Sequence, residues 1–533
     1  APFQSTNGQT FASNNGTEII STNNYFTFDH TFGELSDLNV VAGMTYTRLK
    51  NRAISVTGDG FPTDDFKSVS SAATISGGTG TFTNWAQVSY FARATYSYDN
   101  KYLLKASLRN DASSRFGADQ RNGYFPAASA GWIISEEDFL KGSNVVSNLK
   151  LRASWGINGN TPVANFGSLG LYGGTAYDGV SGIAFTQIEN PDLKWEETAQ
   201  TDIGIDFGFL NNRISGEIDY YVKKTNDLIF NERIPFEAGA PGHAILKNVG
   251  NLENKGFEFV LNTTNIQTDD LTWKTSFNIA TNKNKVTNLP NGADLITGRN
   301  ILREGEPINA FYMAEYAGVD SSNGDALYYL NTENSDGSLN KTTTNDFSQA
   351  QRIIMGNPNP DLIGGLSSNL NYKTFDFSFT FQGQWGASLY NNAGQYQETG
   401  FGNGLDNQDV YIFKNRWQNP GDITNVPQAR LFRNNGHSAS SRYLQDADFI
   451  RLRNITLGYS LPESVLEKIG FSKVRVYLAG LNLITITDYR GYDPESSNDD
   501  ANTNTNVGNT FYSAPPAKTF TLGVNLTFYN YVM

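Results

Sequence analysis

Hydrophobic and polar residues alternate along much of the chain with a period of two. In "TDIGIDFGFLNNRISGEIDYYVKK", Ile203, Ile205, Phe207 and Phe209 alternate with Asp202, Gly204, Asp206 and Gly208. Beyond Asn211-Asn212 the alternation restarts, with Ile214, Ile218, Tyr220 and Val222 set against Ser215, Glu217, Asp219 and Lys223. Successive side chains of a strand point to opposite faces, so this stretch predicts a hairpin with one apolar and one charged face. The same pattern recurs in "LNVVAGMTYTRL", "AQVSYFARATYSY", "KYLLKASLRND", "FDFSFTFQGQWG", "FIRLRNITLGYSL" and "KTFTLGVNLTF". In all, about 17 strands are expected, counting "AFYMAEYAGVD" and "ALYYLN". "SEEDFLKG" is expected to form a short helix capped by Ser135, and "PESVLEKIG" a helical turn opened by Pro462.

The connections sort by length. Short ones are "GELSD", Asp99-Asn100, "LNNR", "QTDD", "SSNGD", the turn at Thr374 and the two helical turns. Long ones are expected at 50–85, 112–123, 157–194, 227–254, 283–308, 332–365, 387–446 and 484–517. Short and long alternate, so all short turns fall at one end of the sheet and all long loops at the other. That asymmetry predicts a transmembrane antiparallel β-barrel with periplasmic turns and extracellular loops. Lipid cannot satisfy an open sheet edge, so the sheet must close. Ile203, Ile205 and Phe207 would face lipid; Asp202, Asp206, Glu217 and Asp219 would face a wet lumen. Tyr96, Tyr98, Tyr102 and Trp273, near strand ends, suit interfacial girdles. A string of soluble β-sandwich domains would also alternate, but with shorter strands and loops not sorted to one end.

Composition agrees with a wall that is apolar on one face only. Of 533 residues, 38% are hydrophobic and 17% charged, yet 13% are aromatic. The net charge of -13 argues against nucleic acid as a partner, and the absence of cysteine excludes disulfides and thiolate metal sites. No apolar run is long enough for a membrane helix. The start, "APFQSTNGQTFASNNGTEII", has neither the basic nor the apolar region of a signal peptide and reads as a loop within a longer protein.

No catalytic constellation is present. His30, His243 and His437 are far apart in sequence and have no partners at zinc-ligand spacing, so neither metal nor cofactor is expected. "TENSDGSLNKTT" has Thr332 and Thr343 where a calcium loop needs its first and last ligands, and reads as a plain turn. "DPESSNDDAN", with Asp493, Glu495, Asp499 and Asp500, reads as a solvated acidic loop. The long loops carry many aromatic residues. Tyr172, Tyr177, Tyr396, Trp417 and Tyr443 are candidate substrate contacts, because rings beside Asn, Asp and Gln can stack on sugars or clamp peptides.

Several long segments resemble SusC/RagA-type TonB-dependent outer-membrane transporters. They include "NPDLKWEETAQTDIGIDFGFLNNRISGEIDYYVKKTNDLIF" (190–230), "FPAASAGWIISEEDFL" (125–140), "NVGNLENKGFEF" (248–259), "MGNPNPDLIGG" (355–365), "DFIRLRNITLGYSLP" (448–462) and "GLNLITITDYRGYDPE" (480–495). "PPAKTFTLGVNLTF" (515–528) resembles the family's last strand, whose closing aromatic, here Phe528, is the barrel-assembly signal. The resemblance implies a 22-strand barrel with a plug in its lumen, and residues 1–533 as its C-terminal part, with the plug and first strands elsewhere. It implies uptake of oligosaccharides or oligopeptides beneath a SusD-like surface lipoprotein, energised by TonB-ExbB-ExbD through the missing N-terminal region. A surface barrel or adhesin without transport is the alternative.

Overall fold

The computed structural model describes all residues except 1–7, 240, 403, 405, 501–504 and 529–533. Fifteen strands follow one another in a single ladder. They are β1 (Gln9–Phe32), β2 (Ser36–Asp59), β3 (Thr74–Tyr98), β4 (Tyr102–Ser113), β5 (Asn122–Ile133), β6 (Val146–Asn160), β7 (Glu196–Phe209) and β8 (Ile214–Asn226). The ladder continues through β9 (Asn251–Gln267), β10 (Leu271–Thr281), β11 (Leu362–Tyr372), β12 (Phe375–Trp385), β13 (Phe449–Ser460), β14 (Phe471–Thr487) and β15 (Thr519–Phe528). Every neighbouring pair is antiparallel and consecutive in sequence, the up-and-down order of an outer-membrane wall. Among the described residues no pairing joins β1 to β15.

The count is two below the expected seventeen, because "AFYMAEYAGVD" and "ALYYLN" lie outside the wall. Their residues form small loop sheets (Ala310–Ala314, Tyr316–Val319 and Ala326–Tyr329), where Phe311, Met313 and Tyr328 are buried. A period of two reports one apolar face; it does not say whether lipid or protein covers that face. The "SSNGD" turn therefore joins loop strands and is not a wall turn. The remaining connections still alternate in end, and all but one of those at the far end are longer than every turn at the near end; the exception, 114–121, is shorter than the helical turns at 134–145 and 461–470.

The opening loops were also misplaced. Residues 9–20, 50–59 and 74–85, expected as loop, are strand, and β1, β2 and β3 run for 24, 24 and 25 residues. A membrane crossing takes about 9–11 residues, so this ribbon continues well past the bilayer on the long-loop side. There both faces are wet. Stretches such as "SGGTGTFTN" need no apolar alternation, yet their backbone still pairs, Thr79 with Ser55 and Thr83 with Asn51.

At the opposite end the turns are tight. Leu210, Asn211 and Asn212 all have positive φ, 54°, 56° and 58°, a conformation asparagine tolerates better than most residues. "SEEDFLKG" makes only a 3-10 turn, Ile134–Glu136, without a side-chain cap. Its Glu137 instead accepts hydrogen bonds from Tyr102 Oη (2.6 Å) and Trp132 Nε1 (2.9 Å). The second helical turn forms as expected: Pro462 precedes the helix Glu463–Ile469, and Gly470 closes it at φ 77°.

The fully buried apolar side chains lie almost wholly in loops and at the long-loop ends of strands. One cluster joins Phe116, Phe125, Val163, Leu193, Trp195 and Ile229; another joins Phe311, Met313, Tyr390 and Tyr443. The wall's own apolar residues, among them Leu104, Leu108, Ile203, Ile205, Ile218, Phe257, Leu478 and Leu522, stand exposed on one face. A lipid-facing band has this form.

Candidate functional site

In the hairpin β7–β8, Ile205 pairs with Ile218, and Asp206 with Glu217. The two faces of the sequence pattern are thus the two faces of the sheet. On the polar face, Asp202, Asp206, Glu217 and Asp219 converge on Arg152 of β6. Arg152 Nε reaches Asp206 Oδ1 at 2.8 Å, Nη1 reaches Asp202 Oδ1 at 3.2 Å, and Nη2 reaches Asp219 Oδ2 at 2.6 Å and Glu217 Oε2 at 3.4 Å. Lys150 Nζ adds a contact of 3.4 Å to Asp206. Gly204 makes room for this cluster: a Cβ there would stand 2.0 Å from Asp219 Oδ1. The sequence singled out the carboxylates but not Arg152. Only the register, which sets Arg152 opposite Gly204, brings it among them.

At the long-loop end, the connections after β10, β12 and β14 fold into one packed assembly. Ser388–Asn391, from the connection after β12, pairs with Thr505–Thr510, from the connection after β14. Asn300, from the connection after β10, donates to Val507 O at 3.2 Å. The rings expected to meet substrate divide into three groups. Tyr443 is completely buried beside Tyr390, and its hydroxyl donates to Gly436 O. Trp417 is buried and donates to Ser321 O at 3.1 Å. These two rings are consumed by loop packing and leave no free face for a substrate. Tyr172 and Tyr177 stand exposed on a separate hairpin, Leu171–Tyr177 with Val180–Gln187, where Tyr172 packs on Phe185. Tyr396 is the one that joins a surface cluster. Its ring meets Phe511 edge-on at 5.5 Å, Phe511 meets Tyr512 at 4.7 Å, and the neighbouring Gln397 donates to Tyr492 Oη at 3.2 Å. All four rings are exposed.

Glu398, two residues along the chain from Tyr396, lines a cavity of about 350 Å³. Its walls include Tyr316, Tyr329, Tyr411, Glu398, Arg442 and Arg490. Glu398 is buried between two guanidiniums, with Arg490 Nη1 at 3.2 Å and Arg442 Nη2 at 3.9 Å. Burial pushes its pKa above the usual carboxylate value, and the two arginines offset part of that rise. Burial likewise raises Tyr316, and takes Tyr328 up to about 12, so both phenols stay neutral. No charged motif marked this cavity in the sequence: Glu398, Arg442 and Arg490 lie in three separate stretches.

Of the acidic segment after β14, Asp493 and Glu495 are not free in solvent, while the side chains of Asp499 and Asp500 lie outside what the structure describes. Asp493 is buried against Arg451 of β13, with Nη2 to Oδ1 at 2.5 Å, and Glu495 pairs with both Arg451 and Arg453. Residues 332–343 form a turn in which Asp336 accepts from the amide and hydroxyl of Ser338. Phe528, the last described residue, packs against Phe471 at 4.9 Å at the short-turn end.

A long up-and-down sheet, apolar on one face and charged on the other, with the large loops at one end, defines an outer-membrane β-barrel. The profile of the family described as "TonB dependent receptor-like, beta-barrel" matches residues 2–311, and the chain belongs to this family. The TonB-dependent receptor P3 of Formosa agariphila is 34% identical over 543 residues, covering 97% of this chain and 53% of that protein. SusC of Bacteroides thetaiotaomicron is 35% identical over 488 residues, covering 83% of this chain and 44% of that protein. The solved structure of the RagAB peptide transporter superposes with a TM-score of 0.82 at 30% identity, covering 97% of this chain and 56% of that one. The chain is thus of the SusC/RagA type, a family of outer-membrane receptors and transporters rather than enzymes. It spans about half the length of the curated relatives it matches.

Proposed function

We propose that this chain is the C-terminal wall and loop assembly of an energised outer-membrane importer for oligosaccharides or oligopeptides. The observation that carries the reading is the packed platform of three long loops at the extracellular end, over a strand ladder that matches the RagAB transporter along 97% of the chain. In this reading the wall is passive. Its apolar face meets lipid, its polar face around Arg152 lines the lumen, and the loops hold substrate beneath a SusD-like lipoprotein. A plug and the first strands, from preceding sequence or a separate chain, complete the 22-strand barrel, and TonB-ExbB-ExbD moves the plug. Among the loop rings, the exposed cluster around Tyr396 fits substrate better than the buried Trp417 and Tyr443, and Tyr172 and Tyr177 suit the partner or the far rim. The test is uptake of fluorescently labelled oligosaccharides and oligopeptides by cells carrying the complete gene with its partner. Uptake should vanish on deletion of either this gene or tonB. Adhesion to the same ligands with no TonB-dependent uptake would support a non-transporting surface barrel instead.

Phe528 is proposed as the closing aromatic read by the assembly machinery. It is exposed, and it pairs with Phe471 at the foot of the last strand. Its companion expectation, that 529–533 are dispensable with Tyr529 and Tyr531 at the interface, lies outside the described residues. Phe528→Ala in the complete protein should lower its outer-membrane level several-fold on blots of fractionated cells, while deletion of 529–533 should not. A larger loss from the deletion would move the signal to the last residues.

A further inference from the structure

The cavity lined by Glu398, Arg442 and Arg490 gathers three charged groups. Two of its charged groups are already committed. Arg442 is buried, and it donates from Nη1 to Gly436 O (2.8 Å) and Tyr443 Oη (3.2 Å), and from Nη2 to Glu398 O (3.1 Å). Glu398 is buried between the two arginines. Arg490 is different. Its side chain is 34% exposed, its contacts to Glu398 are long at 3.2 and 3.5 Å, and its guanidinium lies 4.2 Å from the centre of the Tyr411 ring. The ring fixes the plane of the guanidinium without using its in-plane N–H groups, and Glu398 holds one edge. Glu398 takes Nη1 and Nη2 loosely, and no side-chain bond is made by Nε among the described residues, so a bidentate oxyanion could take the Nε side or displace the long Glu398 contacts. With Arg442 counted, the triad carries a net charge of plus one in a protein of net charge -13, and Asp409 is the nearby carboxylate set against it.

The segments that build the cavity also build the aromatic cluster. Gly394–Glu398 supplies Tyr396 to the surface and Glu398 to the cavity, and Arg490 precedes Tyr492 by two residues. A ligand with its charge at Arg490 would therefore have its neighbouring units against exposed rings. We propose that this cavity binds the carboxylate or sulfate of an acidic oligosaccharide whose adjoining sugar rings stack on Tyr396, Tyr492, Phe511 and Tyr512. This rests on the importer reading and names its substrate class.

A peptide fits less well. Peptides commonly add a strand to an open sheet edge. The edge that lines the cavity, Tyr316–Val319, is broken by an irregular register between Tyr316 and Gly318, and the Tyr316 amide is already bonded to Ser441 Oγ at 2.9 Å. Gly318 there has φ 106°, which takes the backbone out of strand geometry. Flat exposed rings beside polar side chains offer stacking faces instead of a ladder.

The complete transporter, purified with its lipoprotein partner, should be titrated calorimetrically with two matched pairs and one control. The pairs are an oligogalacturonate with its fully methyl-esterified form, and a sulfated oligogalactan with its desulfated form. The control is an acidic tetrapeptide. In at least one pair the acidic sugar should bind about tenfold or more tightly than its neutral twin, the worth of a charge-assisted pair. The responding pair tells carboxylate from sulfate. Arg490→Gln should collapse that ratio toward one, with the acidic sugar losing more affinity than its neutral twin. Should Arg490→Gln lower assembly, Arg490→Lys carries the test. It keeps a charge beside Glu398 but cannot present two parallel N–H groups, so the ratio should fall several-fold. Equal binding of acid and neutral forms in both pairs, an unchanged ratio in the variants, or binding of the peptide alone would overturn the proposal. TonB-dependent uptake of neutral sugars without acid preference would leave the importer reading standing. Acid preference without any TonB-dependent uptake would do the opposite.

Discussion

Arginine at Ile205 should severely impair assembly of the barrel, while asparagine at Asp206, one residue away, should be tolerated. Ile205 is exposed on the apolar face, pairs with Ile218, and has Leu151 of β6 as its other cross-strand neighbour. It stands five residues from the turn at Leu210, within the span that the bilayer covers. A charged side chain near mid-bilayer costs about 2–4 kcal/mol on the lipid face of such barrels. Asp206→Asn removes one of four carboxylates around Arg152 and keeps a hydrogen-bonding group of the same shape. Arg152 retains Asp202 and Asp219, so the loss should be well below that of Ile205→Arg. The measurement is the heat-modifiable, folded fraction in outer membranes of cells expressing the complete protein. Similar folded fractions for both variants would mean that the two faces are wrongly assigned.

The class of fold was legible because one chemical requirement repeats in every strand: an apolar face for lipid and a polar one for water. Where that requirement stops, so does legibility. Above the bilayer β1–β3 are wet on both faces, so Gly-, Ser- and Thr-rich stretches looked like loop although their backbones pair. In the connection after β10 the opposite happened. Phe311, Met313 and Tyr328 alternate to serve a protein core, and so imitated two further wall strands.

The candidate site was legible only by residue type. Aromatic loop residues stood out in the sequence, but whether a ring is consumed by packing depends on contacts between residues more than a hundred positions apart, such as Phe511 with Tyr396. Tyr443 and Tyr396 were indistinguishable as letters. One is sealed beneath Tyr390 and the other is a third exposed, at 36%. The charges that matter, Arg152 among four carboxylates and Arg490 beside Glu398, are each assembled from distant stretches by register or loop docking. Neither has a local motif.

A buried polar tie in the loop assembly is one that the composition of "DPESSNDDAN" hid. Arg451 is 3% exposed and Asp493 5%, at 2.5 Å, and Arg451 Nε donates to Thr485 Oγ1 at 3.0 Å. Arg453 shares Glu495 with Arg451 and donates to Gln382 Oε1 at 2.8 Å. Together they fasten the connection after β14 to β12, β13 and β14, and that connection carries Arg490, Tyr492, Phe511 and Tyr512. Removing one partner of a buried pair costs about 3–5 kcal/mol, because the other charge is left without compensation. Arg451→Met should therefore release this loop while the wall stays assembled. Proteolysis of intact cells should newly cut between 488 and 518, with the heat-modifiable band preserved. Replacing both partners, Arg451→Met with Asp493→Leu, removes the stranded charge as well as the pair, and Arg453 still holds Glu495. Such exchanges are often near neutral, so the double variant should regain most of the protease resistance. A single variant as resistant as the parent, or a double variant no better than the single, would show that Arg451 and Asp493 do not hold the loop in place.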